Sequence, residues 1–487
     1  MSQFSILKRA ALSLSLAGLA SSVFALGSPD VDFHSATPRF ENFEDEYGLG
    51  YIANLVSTRA IIRGDSSDTY LVAYSVSDTD MVGQFRLGMA RYFLDGSRDP
   101  SFGSGVGVDG LRLLGYPDQG SRFYAGDVIE EATSGLTVSG SVASVDIPGD
   151  ADTVVCRVTA AGTFDISWAA DATPAGCRRL PALSESNNYK FAELVSDGAG
   201  GVYAATNVGA VVRVQHLDAS GNVDMGYGIG GVFTVQPPGS VEANVYDLVV
   251  DSSGRLLVLG DTGTDDMNGT NFDWFVLRVL ANGAEDQTFG TLNGYRRIGF
   301  DLGGNNARYD WPTALLEDGD GSLLIAGNVQ ASLTGYAVAL IKLDSDGLVV
   351  DPNFGTSNGG PISYTQVSTS SLVTGMGRLP DGGVILIGDH ELNFDNTDLD
   401  PAMMVFGSNG ELDGRFWNSG VTVIPMDRTS APGTHGRDYL QTLFVDADKE
   451  RVVLGGRAEG GVDGEWQGML QAIALHDRLF KDGLEDQ

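Results

Sequence analysis

Short aliphatic bursts, each preceded by a polar turn containing glycine or aspartate, recur along the chain. The clear copies read "DSSGRLLVLG" from Asp251, "DGDGSLLIAG" from Asp318, "PDGGVILIG" from Pro380 and "DADKERVVLGG" from Asp446. Weaker ones, "SDGAGGVYAAT", "TSGLTVSG" and "DSSDTYLVAYS", bring the total to seven. Four or five branched residues bounded by Gly and Asp read as a buried strand, and the turn before them as a hairpin. One strand enters each hairpin, as in "VYDLVV" before Asp251, and another leaves it, as in "FDWFVLRVL" from Phe272 to Leu280. A fourth, "GVFTVQ" from Gly231 to Gln236, is expected to open the unit. Four antiparallel strands in about sixty residues predict one blade of a β-propeller.

A second signal follows six of the seven bursts: a strand, a turn, an Asp and, three residues on, an aromatic. The pairs are Asp99 and Phe102, Asp165 and Trp168, Asp224 and Tyr227, Asp286 and Phe289, Asp351 and Phe354, and Asp413 and Phe416. Their aromatics step by 66, 59, 62, 65 and 62 residues, a fixed unit with loop insertions. In such a turn the Asp accepts backbone N–H groups, the aromatic folds onto an apolar face and a glycine supplies positive φ. Each copy is expected to pin one crossing between blades. Seven bursts and six turns predict an all-β, seven-bladed β-propeller of about 63-residue repeats, since a closed ring leaves no exposed sheet edge. The strand closing it would be "GMLQAIALHD", Gly468 to Asp477, beside a first blade whose core is Thr69 to Tyr74 and whose outer strand includes Phe85 to Phe93.

These units resemble the delta-60 repeat, a bacterial family whose unit joins a "DG" hairpin and aliphatic strand to a strand ending in "G…LDxxFG". The resemblance covers roughly residues 50 to 475 and is closest around Phe289 and Phe354. At Trp168-Ala169, Tyr227 and Phe416-Trp417 the sequence departs from the Phe-Gly pair of that unit. It implies a propeller-like fold and carries over no catalytic residues.

Composition adds location. Lys8 and Arg9 precede an apolar run from Ala10 to Ala20 and the small-residue pattern Val23-Phe24-Ala25, so residues 1–25 read as a cleaved secretory signal. The propeller is then expected over 26–478, with an acidic tail at 479–487. No later stretch is long and apolar enough for a membrane span. The tail "LFKDGLEDQ" resembles a C-terminal "F-x-D-G-F-E" tag of secreted Gram-negative proteins through Phe480, Asp482, Gly483 and Glu485. An exported protein is expected: extracellular, periplasmic or on the surface of a Gram-negative cell. Without Lys8 and Arg9, 28 basic residues face 64 acidic ones, a net charge of −36. That field repels nucleic acid and anionic lipid, both of which require a basic stripe.

The chemistry-bearing residues are few. Cys156 and Cys177 are the only cysteines, and an exported chain pairs them; the bridge is expected to join the last strand of the second blade to the start of the third. "GTSNG" around Ser357 matches G-x-S-x-G and "GVGVDG" matches G-x-G-x-x-G, but neither lies between a strand and a helix. Asp318, Asp320, Asp446 and Asp448 sit in acidic Asp/Gly turns of the kind that bind hard cations, though neither turn completes a calcium loop. No catalytic residue is assigned, and no cofactor is expected other than calcium. The reading is a monomeric, non-catalytic scaffold that binds a protein or glycan. Its alternatives are an enzyme working in the central funnel, of lactonase or glycan-hydrolase type, and a calcium-stabilised adhesin.

Overall fold

A computed structural model describes residues 29–30, 32–41, 55–63, 68–78, 84–103, 108–116, 123–130, 135–143, 151–183, 191–266, 269–292, 294–300, 309–331, 335–355, 364–365, 371–391, 399–417, 419–424, 437–460 and 465–475. The signal, the acidic tail and Ser357 lie outside them. Four antiparallel strands form each of seven blades, and the blades close into a ring. Blade 4 is typical: Glu242–Val250 lies innermost, then Leu256–Asp266, Gly269–Val279 and, outermost, Tyr295–Ile298. The innermost strands of the other blades are Leu55–Arg63, Tyr124–Glu130, Glu193–Ser196, Trp311–Glu317, Ser371–Arg378 and Asp438–Asp446.

The bursts are the second strands, and their unbroken hydrophobicity has a simple cause. Successive side chains of a strand point to opposite faces, and here both faces are covered by neighbouring blades. Leu256 and Val258 pack toward blade 3, while Leu257 and Leu259 pack toward blade 5. Each of the seven blade junctions holds one such apolar cluster. Burying an aliphatic side chain stabilises by roughly 1.5–3 kcal/mol, so these junctions carry most of the folding energy.

Strand order inside the blade differs from expectation. "GVFTVQ" does not open a unit: Val232–Val235 is the outer strand of blade 3, pairing with Val211–Leu217. Phe85 to Phe93 is likewise third in its blade, and Leu111–Leu114 is outermost. The aromatic turn reverses the chain within a blade, so the strand after it still belongs to that blade. The disulfide moves accordingly, because Cys156 and Cys177 face each other on the third and outer strands of blade 2.

The repeated turn has one geometry throughout. Asp99, Asp165, Asp224, Asp286, Asp351 and Asp413 each accept the N–H two residues ahead at 2.8–3.1 Å, and each aromatic N–H bonds back to its Asp carbonyl at 3.0–3.4 Å. The next residue takes positive φ even where it is not glycine, as at Ala169 and Trp417. Its N–H reaches into the following blade, with Ala169 bonding to Ser220, Gly228 to Asn282, Gly290 to Asp346 and Gly355 to Asn409 at 2.6–2.9 Å. The aromatic covers a turn glycine of that same blade. A Cβ at Gly221 would stand 2.6 Å from the Trp168 ring, and one at Gly410 2.6 Å from Phe354. A basic side chain completes several copies: Arg91 bonds to Asp99 and lies over Phe102, and Arg278 bonds to Asp286 and lies over Phe289.

A seventh copy exists, and it comes from the other end of the chain. Asp30 accepts the Asp32 N–H at 2.9 Å, the Phe33 N–H bonds to the Asp30 carbonyl at 3.1 Å and the His34 N–H to the Asp95 carbonyl of blade 1 at 2.7 Å. Phe33 is fully buried against Gly96, and Arg451 bonds to Asp30 at 3.0 Å and lies over the Phe33 ring. Arg39–Glu41 then pairs with Glu465–Ala474 as the outer strand of blade 7. The closing strand is thus N-terminal, and the Glu465–Ala474 strand, expected to be last, is third in its blade. It still borders blade 1, through one parallel bridge between Leu55 and Trp466.

Candidate functional site

The aspartates proposed as metal ligands occupy equivalent slots at the ends of inner strands. Asp318 receives Lys342 at 2.9 Å and Arg378 from the next blade; Asp320 receives Lys342 at 3.2 Å. Asp446 is gripped by both terminal nitrogens of Arg63 at 2.8 Å and by the Tyr70 hydroxyl, across the junction of blades 7 and 1. Asp448 is exposed, 3.7 Å from Arg63. The same slot therefore forms an ion pair between blades twice. Among the described residues, no group of three His, Cys, Asp or Glu side chains is placed to hold a metal ion.

None of the six predicted turn pairs lines the central channel. They belong to the blade junctions, and the chemistry of the axis comes from other residues. Six of the seven inner strands shift register at one level, with bulges between Thr58 and Ala60, Ala125 and Val128, Val245 and Asp247, Pro312 and Ala314, Val373 and Gly375, and Leu440 and Thr442. A bulge adds one residue and re-aims its side chain. Here residues in or next to the bulges tie one blade to the next. Thr313 Oγ1 donates to the Val373 carbonyl at 3.1 Å, and Thr374 Oγ1 to the Leu440 carbonyl at 2.7 Å. Asp127 accepts the Leu194 N–H at 2.8 Å, and Asp247 accepts the Leu315 N–H at 2.7 Å.

All seven blades contribute to a cavity of about 410 Å³ at this level, with Asp127, Glu193, Tyr246, Asp247, Thr313 and Gln441 among its polar lining. Burial pushes the Asp247 carboxyl up to about 7; the Asp127 charge acts in the same sense, and two backbone N–H bonds oppose it. Burial also raises Asp261, to about 6, although Asn244 and the Tyr246 hydroxyl each donate to it at 2.9 Å. Next to Tyr246 a run of aromatics crosses blades 4 and 5. Phe272 meets Tyr309 at 4.7 Å, Tyr309 meets Trp311 at 5.3 Å and Trp311 meets Tyr336 at 4.9 Å, while Tyr309 stays 40% exposed.

No single motif marks this site in the sequence. A signal did exist in alignment: stacking the inner strands puts Asp127, Tyr246-Asp247, Thr313, Thr374 and Gln441 in one column, where a uniform β repeat would hold one residue type.

Comparison with known proteins finds one family match, over a single stretch. Residues 76–102 match a family model described as "Domain of unknown function (DUF5122) beta-propeller". The chain is a propeller of repeated blades. No curated protein matches it in sequence. Among solved structures, a protein from Lactobacillus plantarum is 12% identical with a TM-score of 0.39, over 84% of this chain and 96% of that one. The periplasmic gluconolactonase PpgL of Pseudomonas aeruginosa is 12% identical with a TM-score of 0.37, over 86% and 96%. The Trypanosoma rangeli sialidase, in complex with the inhibitor DANA, is 11% identical with a TM-score of 0.37, over 88% of this chain and 56% of that one. Among the described residues, no helix is long and apolar enough to cross a membrane.

Proposed function

We propose that the protein is an exported binding scaffold that takes a polyhydroxylated ligand, such as the end of a glycan, at its central channel. The observation that carries this reading is the cavity to which every inner strand contributes, bordered by hydroxyl, amide and carboxylate groups and by the rings of Phe191 and Tyr246. Its volume falls within the range of roughly 300–1,000 Å³ usual for small-ligand sites. Hydroxyl-rich ligands pair with such groups, and aromatic faces cover their apolar sides. The Asp127 and Asp247 oxygens already accept backbone N–H groups that hold the ring, which favours a positioning role over a nucleophilic one. Calorimetry with a panel of neutral oligosaccharides tests the reading: binding lost in Gln441→Ala supports it, and no binding across the panel overturns it.

A second reading rests on the Asp127 and Asp247 pair. A carboxyl that burial pushes up to about 7, in a cavity that the Asp127 carboxylate also lines, suits general acid–base work. Turnover of a lactone or glycoside that vanishes in Asp247→Asn, with a pH profile breaking near 7, would select the enzyme.

A further inference from the structure

The segment that completes blade 7 is held by the same contacts as its six counterparts, yet it lies far from that blade in sequence. Residues from Leu55 to Ala474 supply every strand of the ring except Arg39–Glu41. What they leave open is a shaped acceptor. It offers the backbone edge of Glu465–Ala474, where Arg39, Phe40 and Glu41 pair with Leu470, Met469 and Gly468. Arg451 receives the Asp30 carboxylate, and Phe33 fills an apolar pocket with Tyr70 and Tyr92. Arg98 engages Glu41, which is buried, and Arg39 lies over Tyr92 at 5.1 Å.

We infer that this edge of blade 7 is a strand-acceptor site, specific for an Asp-x-x-Phe turn followed by a short Arg-Phe-Glu strand, and that a second copy of this chain is its alternative occupant. Beyond itself the segment touches blades 7 and 1, with Phe40 in the junction of blades 6 and 7, so the segment of another copy can make all of these contacts. Exchange then costs association entropy and no native contact, which is the condition for segment swapping. In a single copy the covalent connection keeps the local concentration of the segment high, so the internally closed monomer is the resting form. Only 13 residues separate Glu41 from Leu55, and cutting between them removes that advantage while leaving the acceptor intact.

The test uses the full mature chain with a protease site inserted between Tyr47 and Gly48, folded first and then cut. The N-terminal fragment is expected to stay with the ring through gel filtration and to exchange, over hours, with a fluorescent peptide of residues 28–41. The same peptide carrying Phe33→Ala should bind at least ~100-fold more weakly, the loss expected for emptying a buried aromatic pocket. Release of the fragment on the column with no peptide binding overturns the inference. So does retention without exchange, because the site would then admit no second occupant. If the inserted chain does not fold, the full-length Phe33→Ala protein is melted with and without wild-type peptide. A rise in its melting temperature with that peptide, and none with the Phe33→Ala peptide, supports the inference; no rise overturns it.

Discussion

Replacing Arg278 by Met removes one guanidinium and leaves an apolar stem of similar length in its place. Arg278 is 1% exposed; it bonds to Asp286 at 2.8 Å and to the Ser345 carbonyl of blade 5 at 2.6 Å, and lies 4.5 Å from the Phe289 ring centre. Stripping a buried carboxylate of its partner costs about 3–5 kcal/mol, and losing a cation over an aromatic face about 1 kcal/mol more. Arg255 remains 3.6 Å from Asp286, and Thr288 still bonds to it, so the lower end applies: a loss of ~3 kcal/mol at pH 7. Burial pushes the Asp286 carboxyl up, but Thr288 and Arg278 outweigh it and hold the group below the ordinary carboxylate range. A depressed acid stabilises above its unfolded value of about 3.9, and that contribution fades as pH falls through the folded value. The difference between wild type and Arg278→Met should therefore shrink below about pH 4. Urea denaturation at pH 7 and pH 3 measures both. The matched substitution Arg415→Met removes a side chain that is 47% exposed beside Asp413 and should cost no more than ~1 kcal/mol. Equal effects at the two sites, or a loss under ~0.5 kcal/mol at Arg278, would refute the view that buried Arg–Asp–aromatic turns fasten the blades.

Three further outcomes are expected. Burial lifts Asp389 to about 8, above its unfolded value, so wild-type stability should fall as pH rises from about 4 to 8. Asp389→Asn, which keeps an acceptor for the Leu440 N–H, should remove that slope and gain roughly 2–5 kcal/mol at pH 9, read by denaturation across pH. The protein should show no alkylatable thiol before reduction, and Cys156→Ser with Cys177→Ser should lose ~3 kcal/mol, the chain-entropy value for a loop of this length. Chelating agents should barely move the melting temperature, whereas calcium at a hundredfold excess over its dissociation constant would add ~2.7 kcal/mol; Asp446→Ala should destabilise equally with and without calcium, since it releases Arg63.

What the sequence revealed follows from where each constraint is written. The bursts were legible because both faces of the second strand are buried, which forces Leu257 and Leu259 to be as apolar as Leu256 and Val258. The turns were legible because Asp and the aromatic act within four residues. Their cross-blade partners were not, since Gly221 and Trp168, or Gly410 and Phe354, are over fifty residues apart. Six turns for seven blades leave one missing, and the strand that closes the ring lies at the opposite end of the chain from the expected Gly468 to Asp477. "DVDFH" stands 69 residues before Phe102, close to the repeat spacing, and projecting the period backward would have found it. The channel residues escaped notice because a bulge cannot be read from composition, and because Asp127, Thr313 and Gln441 share a position but no chemistry.

Ring closure by the N-terminal segment is tested most directly by hydrogen exchange followed through peptides spanning residues 29–41. Closure predicts slow exchange at the amides of Asp30, Phe33 and His34, whose N–H groups bond to the carbonyls of Ala472, Asp30 and Asp95. Their protection should approach that of Phe289 and Gly290 in blade 4 and fall in Phe33→Ala. Complete exchange of 29–41 within seconds, while blade 4 stays protected, would contradict it: the segment would then be undocked, and blade 7 would have three strands.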